Sequence, residues 1–133
     1  MQFENLKVGL KNSVESIVTE DDTAIKVGSG SIKVLATPIL IALMEKSSAD
    51  LLEKILPEEF TSVGISLNVQ HLSPTPIGLK IFAESEIIAV EERKIIFEVS
   101  AKDERGEIGR GTHERFIVNR KNFQSKADSK KVF

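Results

Sequence analysis

The sequence contains no cysteine, no tryptophan and no tyrosine. Without thiols there are no disulfides, no thiolate metal sites and no cysteine nucleophile. Histidine is nearly as scarce: His71 and His113 are the two present, too far apart in the chain to suggest a zinc ligand pair. Long apolar runs are missing as well. The longest aliphatic stretch, Ile39 to Met44, is far too short to span a bilayer, so no membrane partner is expected. The chain does not open on a basic, then apolar, then small-residue pattern, so no secretory leader is expected and a cytoplasmic location is the default. Nor is there a large excess of one charge. The formal net charge is −2, which leaves no general footprint for nucleic acid.

What remains is an ordinary globular composition, 41% hydrophobic and 29% charged over 133 residues, enough for one domain with a core that needs no staples. The charge is nonetheless uneven. Residues 120–133 carry Arg120, Lys121, Lys126, Lys130 and Lys131 against Asp128, a local +4 that leaves −6 on the rest. The expected division is a folded domain over residues 1–120 and a basic tail over 121–133, solvated or attracting an anionic ligand.

Residues 13–19, SVESIVT, alternate weakly and read as a strand, and residues 24–27 as a short second one. A flexible loop follows at Gly28 to Ser31. The one convincing long helix starts at Thr37-Pro38 and stops at Pro57. Proline suits the first helical position, and the residue before it is pushed toward extended geometry, so Thr37 should lie just outside as the cap. The helix begins with ILIALM, apolar on every side and therefore expected to be buried all round. From Gly64 to Leu72 the period changes to two, with Ile65, Leu67, Val69 and His71 on one face. Residues 79–90, 93–101 and 107–118 read as three further strands joined by hairpin turns. One helix with mostly antiparallel strands is an α+β layer solution, in which a curved sheet wraps the helix. The face and edges left uncovered invite a second copy of the chain, a homodimer or higher homo-oligomer.

Within that layout one carboxylate stands out. Glu45 ends the greasiest segment of the chain, where an isolated charge is costly to bury unless it is paired. Parity puts His71 on the strand face that looks at the helix, so the expected partner of Glu45 is His71, an acid–base pair. Thr37 stands eight residues before Glu45, roughly 12 Å along a helix axis, so direct contact within one chain is not expected. Either substrate lies between them or each meets residues of another subunit. His113, in RGTHERF, reads as structural or as a dimer contact. Gly106, Gly109 and Gly111 read as a bulge or a close backbone approach, because no helix follows them as a phosphate loop requires.

The segments LATP…LME, VGISLNVQHLSPTPIGL and EIGRGTHERFIV, in this order and spacing, resemble the fluoroacetyl-CoA thioesterase family of the hotdog-fold superfamily, over about Val8 to Phe123. The resemblance implies a hotdog fold, a curved antiparallel sheet around one long central helix. It also implies hydrolysis of a small acyl-CoA thioester to free acid and CoA, with no cofactor, since CoA belongs to the substrate. Its catalytic threonine, glutamate and histidine fall on Thr37, Glu45 and His71, and its strand-initial glycine, whose N–H can face the thioester oxygen, falls on Gly64. Measured from Thr37, Glu45, Gly64 and His71 lie 8, 27 and 34 residues on. For the CoA phosphates, cations near the cleft mouth are expected, with Arg110, Arg115, Arg120 and Lys121 as candidates. Two departures matter. The fluoroacetyl-specific member has an aromatic lid ahead of the threonine, whereas GSGSIKVL, Gly28 to Leu35, has no aromatic residue, so fluoroacetyl selectivity is not expected. Pro38 replaces the glycine that follows the family threonine. The alternatives are a non-catalytic acyl-CoA binding or sensing hotdog protein and, further off, an enoyl-CoA hydratase, whose Asp/His helix motif is absent from the sequence.

Overall fold

A computed structural model describes residues 3–131. Its five strands are β1 (Lys11–Ile17), β2 (Phe60–His71), β3 (Lys80–Glu91), β4 (Lys94–Asp103) and β5 (Gly106–Asn119). They form one antiparallel sheet in the order β1-β3-β4-β5-β2. The helices are α1 (Ala24–Val27), α2 (Thr37–Ile55) and α3 (Arg120–Asp128). The α+β architecture is the expected one, a sheet packed on one long helix. No described helix is long and apolar enough to cross a membrane.

Alternation along β3 and β4 sends Ile81, Ala83, Ile87, Ile95, Phe97 and Val99 toward α2, which answers with Leu40, Met44 and Leu52, all nearly or fully buried. Burying each large aliphatic or aromatic side chain contributes about 1.5–3 kcal/mol, so this seam carries the fold. Two glycines of β5 let its neighbours come close. A Cβ on Gly109 would lie 2.9 Å from Leu40 Cδ2, and one on Gly111 would lie 2.0 Å from the Asn68 carbonyl oxygen of β2. The close-approach reading holds for both.

Three local expectations need correcting. Residues 24–27 form a short helix, because the Thr23 side chain accepts from the Lys26 N–H and Gly28, in the left-handed region, closes the turn. The start of α2 is not buried all round: Leu40 and Met44 are, but Ile39, Ile41 and Leu43 are half-buried and Ala42 is exposed. Within one chain the sheet covers only one flank of the helix. Parity along β2 is broken by a bulge between Gly64 and Ser66. Gly64 pairs with Arg115, and then Leu67, Val69 and His71 pair with His113, Gly111 and Gly109, which keeps both sets on the helix side while Ile65 is the extra residue. Most of the basic tail is helical, as α3, capped by the Asn119 side chain accepting from the Asn122 N–H.

Candidate active site

Thr37 is the first residue of α2, and Ala36, not Thr37, is the cap. The stretch before the helix is fixed by backbone hydrogen bonds from Leu35 N–H to the Thr75 carbonyl and from Ala36 N–H to the Asp22 carbonyl. Thr75, itself fully buried, donates its hydroxyl to Asp103 Oδ2 at 2.8 Å. The loop after His71 and the segment before Thr37 are thereby tied to one another. Relieved of capping, the Thr37 hydroxyl Oγ1 lies 2.7 Å from His71 Nδ1. Burial holds the His71 pKa below that of a free imidazole, with the Ser73 backbone opposing, so the ring is neutral at pH 7. A neutral ring unprotonated at Nδ1 accepts the threonine proton and carries its own on Nε2. That Nε2 is buried and has no hydrogen-bond partner among the described residues. The dyad opens on a cleft of about 320 Å³, lined also by Ala24, Ser29, Val34 and Pro74.

Glu45 is elsewhere. It does not pair with His71 in the same chain, contrary to expectation, because the helix rise separates it from the dyad and turns it toward the middle of β2. Its Oε2 is 3.7 Å from Arg115 Nη1 and stands over Gly64, where a Cβ would be only 2.8 Å from that oxygen. Among the described residues no hydrogen bond engages the carboxylate, and its side chain is 38% exposed. It is held by charge and is partly open to solvent.

Beneath it lies a network in which only Arg115 was singled out from the sequence as a binding residue. The Arg115 guanidinium donates from Nε to Ser62 Oγ at 2.7 Å, from Nη2 to the Ser62 carbonyl at 3.1 Å and from Nη1 to His113 Nε2 at 3.1 Å. Since Nε2 accepts, His113 carries its proton on Nδ1 and donates it to the Ser66 carbonyl at 2.8 Å. Burial keeps the His113 pKa below its ordinary value; the Ser66 carbonyl opposes this, Arg115 adds to it, and Glu45 and Glu114 oppose it. His113 is also stacked on Phe97. Burial lowers the Arg115 pKa as well, with Glu45 and Glu53 opposing. Arg115 is only 7% exposed, so it faces the acid and not the phosphates of a ligand at a cleft mouth. The signal for this was alternation: His113 and Arg115 share a face of β5, and the β2 pairing puts that face under α2.

Arg120 and Gly64 complete the expected set. Arg120 is a clamp, donating to Glu53 Oε2 and to the carbonyls of Glu58 and Phe60, which fastens the end of β5 to the end of α2. Glu53 also accepts from the Thr61 hydroxyl, and this bond is the main cause of a lowered Glu53 pKa. Arg120 therefore sits at the far end of the helix from Thr37, about 24 Å along the axis. Arg110 pairs with Glu107 on the surface. Gly64 lies directly under Glu45. One chain thus holds two separate groupings: Thr37–His71 on its cleft, and Glu45–Gly64–Arg115 along the same edge strand. No cluster of described residues is arranged to hold a metal ion.

Comparison with known proteins gives a consistent result. Residues 18–121 match the model of a family described as fluoroacetyl-CoA-specific thioesterase. A curated fluoroacetyl-CoA thioesterase of Streptantibioticus cattleyicolor is 35% identical over 98 residues, covering 74% of this chain and 70% of that one. A solved structure of a fluoroacetyl-CoA thioesterase superposes with a TM-score of 0.90 at 29% identity, covering 95% of this chain and 98% of that chain. A hot-dog-like protein from Thermanaerovibrio acidaminovorans, at 24% identity and a TM-score of 0.87 over 98% and 97% of the two chains, shares the fold.

Proposed function

The chain belongs to the fluoroacetyl-CoA-specific thioesterase family, and from that premise we infer that it is an acyl-CoA thioesterase that cleaves small acyl groups from CoA. The observation that carries this reading is the 2.7 Å contact between Thr37 Oγ1 and His71 Nδ1, facing a cleft with its other ring nitrogen unsatisfied. A nucleophile within bonding reach of a neutral base, itself awaiting an orienting partner, is the arrangement that acyl transfer uses.

The missing partner is a carboxylate, and Glu45 fits it from a second copy. β2 is an edge strand of twelve residues with its outer side unpaired, and Ile65, Leu67 and Leu72 are exposed along it. Antiparallel pairing of two such edges about a two-fold at Asn68, with the bulged Ile65 left out of the count, sets Gly64 of one copy beside the partner's His71. The two-fold stands perpendicular to the sheet, so both α2 helices share one face and can cover each other's exposed flank. Glu45 of one protomer then reaches the Nε2–H of the other, and the homodimer holds two composite sites.

In such a site His71 takes the Thr37 proton as Oγ1 attacks the thioester carbonyl. Negative charge gathers on the carbonyl oxygen near the Gly64 backbone and the Arg115 guanidinium, where fixed positive dipoles lower the barrier. Collapse breaks the C–S bond, and the proton held by His71 goes to the leaving sulfur. Water, deprotonated by the same imidazole, then attacks the acyl carbonyl, and His71 returns that proton to Thr37 Oγ1 as the ester bond breaks and the acid leaves. The test is release of free thiol from acetyl-CoA and a short acyl-CoA series. Thr37→Ala and Glu45→Gln should each lose at least a hundredfold in kcat with the fold intact. An acyl group on Thr37, found by mass spectrometry after acid quench, supports the covalent route. Wild-type protein that binds the esters without turnover would instead favour the non-catalytic alternative.

A further inference from the structure

The dimer that joins the two groupings also decides where α3 goes. Resting on that reading, we propose that the C-terminal basic arm of each protomer, α3 and the short turn after it, binds the nucleotide phosphates of the CoA ester held in the partner's Thr37–His71 cleft.

Four observations converge. First, no residue of α3 or of the following turn, Ser129–Lys131, is buried. A short, polar helix of this kind is marginal alone and presents its side chains to solvent. Second, Lys121, Lys126, Lys130 and Lys131 have no ion-pair partner among the described residues, whereas Arg120 is already committed to Glu53. The acids on this side are Glu58, Glu59 and Asp128, so the arm keeps a positive excess on a chain whose remainder is acidic. Third, a surface cavity of about 460 Å³ lies at the root of the arm, lined by Glu58, Glu59, Asn119, Arg120 and Lys121. Fourth, Asn119 pairs with Phe60 at the start of β2. In the two-fold register that sets Gly64 beside the partner's His71, the start of β2 runs alongside the residues just past the partner's His71. These are Ser73 and Pro74, which line the mouth of the dyad cleft.

The arm of one copy thus flanks the entrance of the other's site. The reacting carbonyl must lie at Thr37, and the pantetheine arm leads outward from it, so the diphosphate and 3′-phosphate emerge on this side. A CoA ester approaching an otherwise acidic body meets local cations where its phosphates rest. The cations act through charge and not through fixed geometry, which suits lysines on an exposed helix.

The experiment compares wild type with the double variant Lys126→Glu/Lys130→Glu on acetyl-CoA and on S-acetyl-N-acetylcysteamine, which carries no phosphate. The expected result is KM for acetyl-CoA raised about tenfold at low ionic strength, converging with wild type near 0.5 M salt as screening shortens the range of the charges. kcat should be unchanged, and KM for the phosphate-free thioester should also be unchanged. Equal KM values for acetyl-CoA, or equal shifts for both thioesters, would overturn the proposal. Calorimetric binding of CoA itself reads the same arm without turnover, so a failure of catalysis is distinguishable from a failure of the arm. Placement in trans is tested with a heterodimer of His71→Ala and Lys126→Glu/Lys130→Glu chains. Its single live dyad faces an intact arm only if the arm acts across the interface, so a wild-type KM supports the placement and a raised KM refutes it.

Discussion

Gly64→Ala separates the geometry of the acid from the stability of the fold. A Cβ at this position would lie 2.8 Å from Glu45 Oε2, 3.2 Å from His113 Cε1 and 3.4 Å from Arg115 Nη1. The imidazole is held by the Ser66 carbonyl and by Phe97, and the guanidinium by both oxygens of Ser62, so neither yields easily. The carboxylate is the free end of a flexible side chain and will move, by the several tenths of an ångström needed to restore contact. In stability, alanine recovers about 0.5–1 kcal/mol of backbone entropy, against about 1–3 kcal/mol for the crowded ring. The net loss is about 1 kcal/mol, or about 4 °C in Tm for a chain of this length. In activity, misplacing a reacting group by up to 1 Å costs about a hundredfold. The expected outcome is kcat on acetyl-CoA down by about two orders of magnitude with a far-UV spectrum unchanged and Tm nearly so. Wild-type kcat in Gly64→Ala would refute the claim that the carboxylate must stand over this glycine.

Three further outcomes follow from other parts of the molecule. Because burial lowers the His71 pKa, kcat/KM should stay level from pH 8 to below 6.5, the ordinary imidazole value, and fall only as the ring charges at lower pH. A profile already falling above 6.5 would contradict this. His113 also has a folded pKa below its unfolded one, so its contribution to stability is intact above about 6.5 and is lost as pH falls from there to the folded value, with a slope of at most about 1.4 kcal/mol per pH unit. Denaturant melts of His113→Phe against wild type should show that part of the pH dependence removed. Arg120→Ala should lower stability by about 1 kcal/mol through its exposed ion pair and two backbone carbonyls while leaving kcat unchanged, which urea unfolding and steady-state kinetics read together.

The helix and the strands were legible because their signals are local. Pro38 and Pro57 bracket α2, and alternation marks β3, β4 and β5. What local pattern could not supply was the consequence of one inserted residue. The bulge at Ile65 resets parity along β2, so both Gly64 and His71 face the helix although they stand seven residues apart. Residues 24–27 contain two β-branched side chains and still form a helical turn, because Thr23 and Gly28 cap it at both ends. The pairing of Glu45 with His71 failed within one chain for a different reason. Both residues are on the helix side of the sheet, as expected, but the helix rise and the strand length carry them to different stations along it. In the proposed dimer, a second edge strand set against the first brings the two stations together. Arg115 was misread because its charge suggested a surface role, while the alternation of β5 already placed it under the helix with His113.

The claim on which the rest depends is that the acid of one protomer completes the threonine–histidine dyad of the other. Mixing inactive Glu45→Gln and His71→Ala proteins under conditions that exchange subunits tests it directly. Sites built across the interface leave one intact site in every heterodimer, so the mixture should recover about a quarter of wild-type activity at statistical exchange. Sites built within a single chain would all carry a lesion, and a mixture that stays inactive after demonstrated exchange would contradict the account.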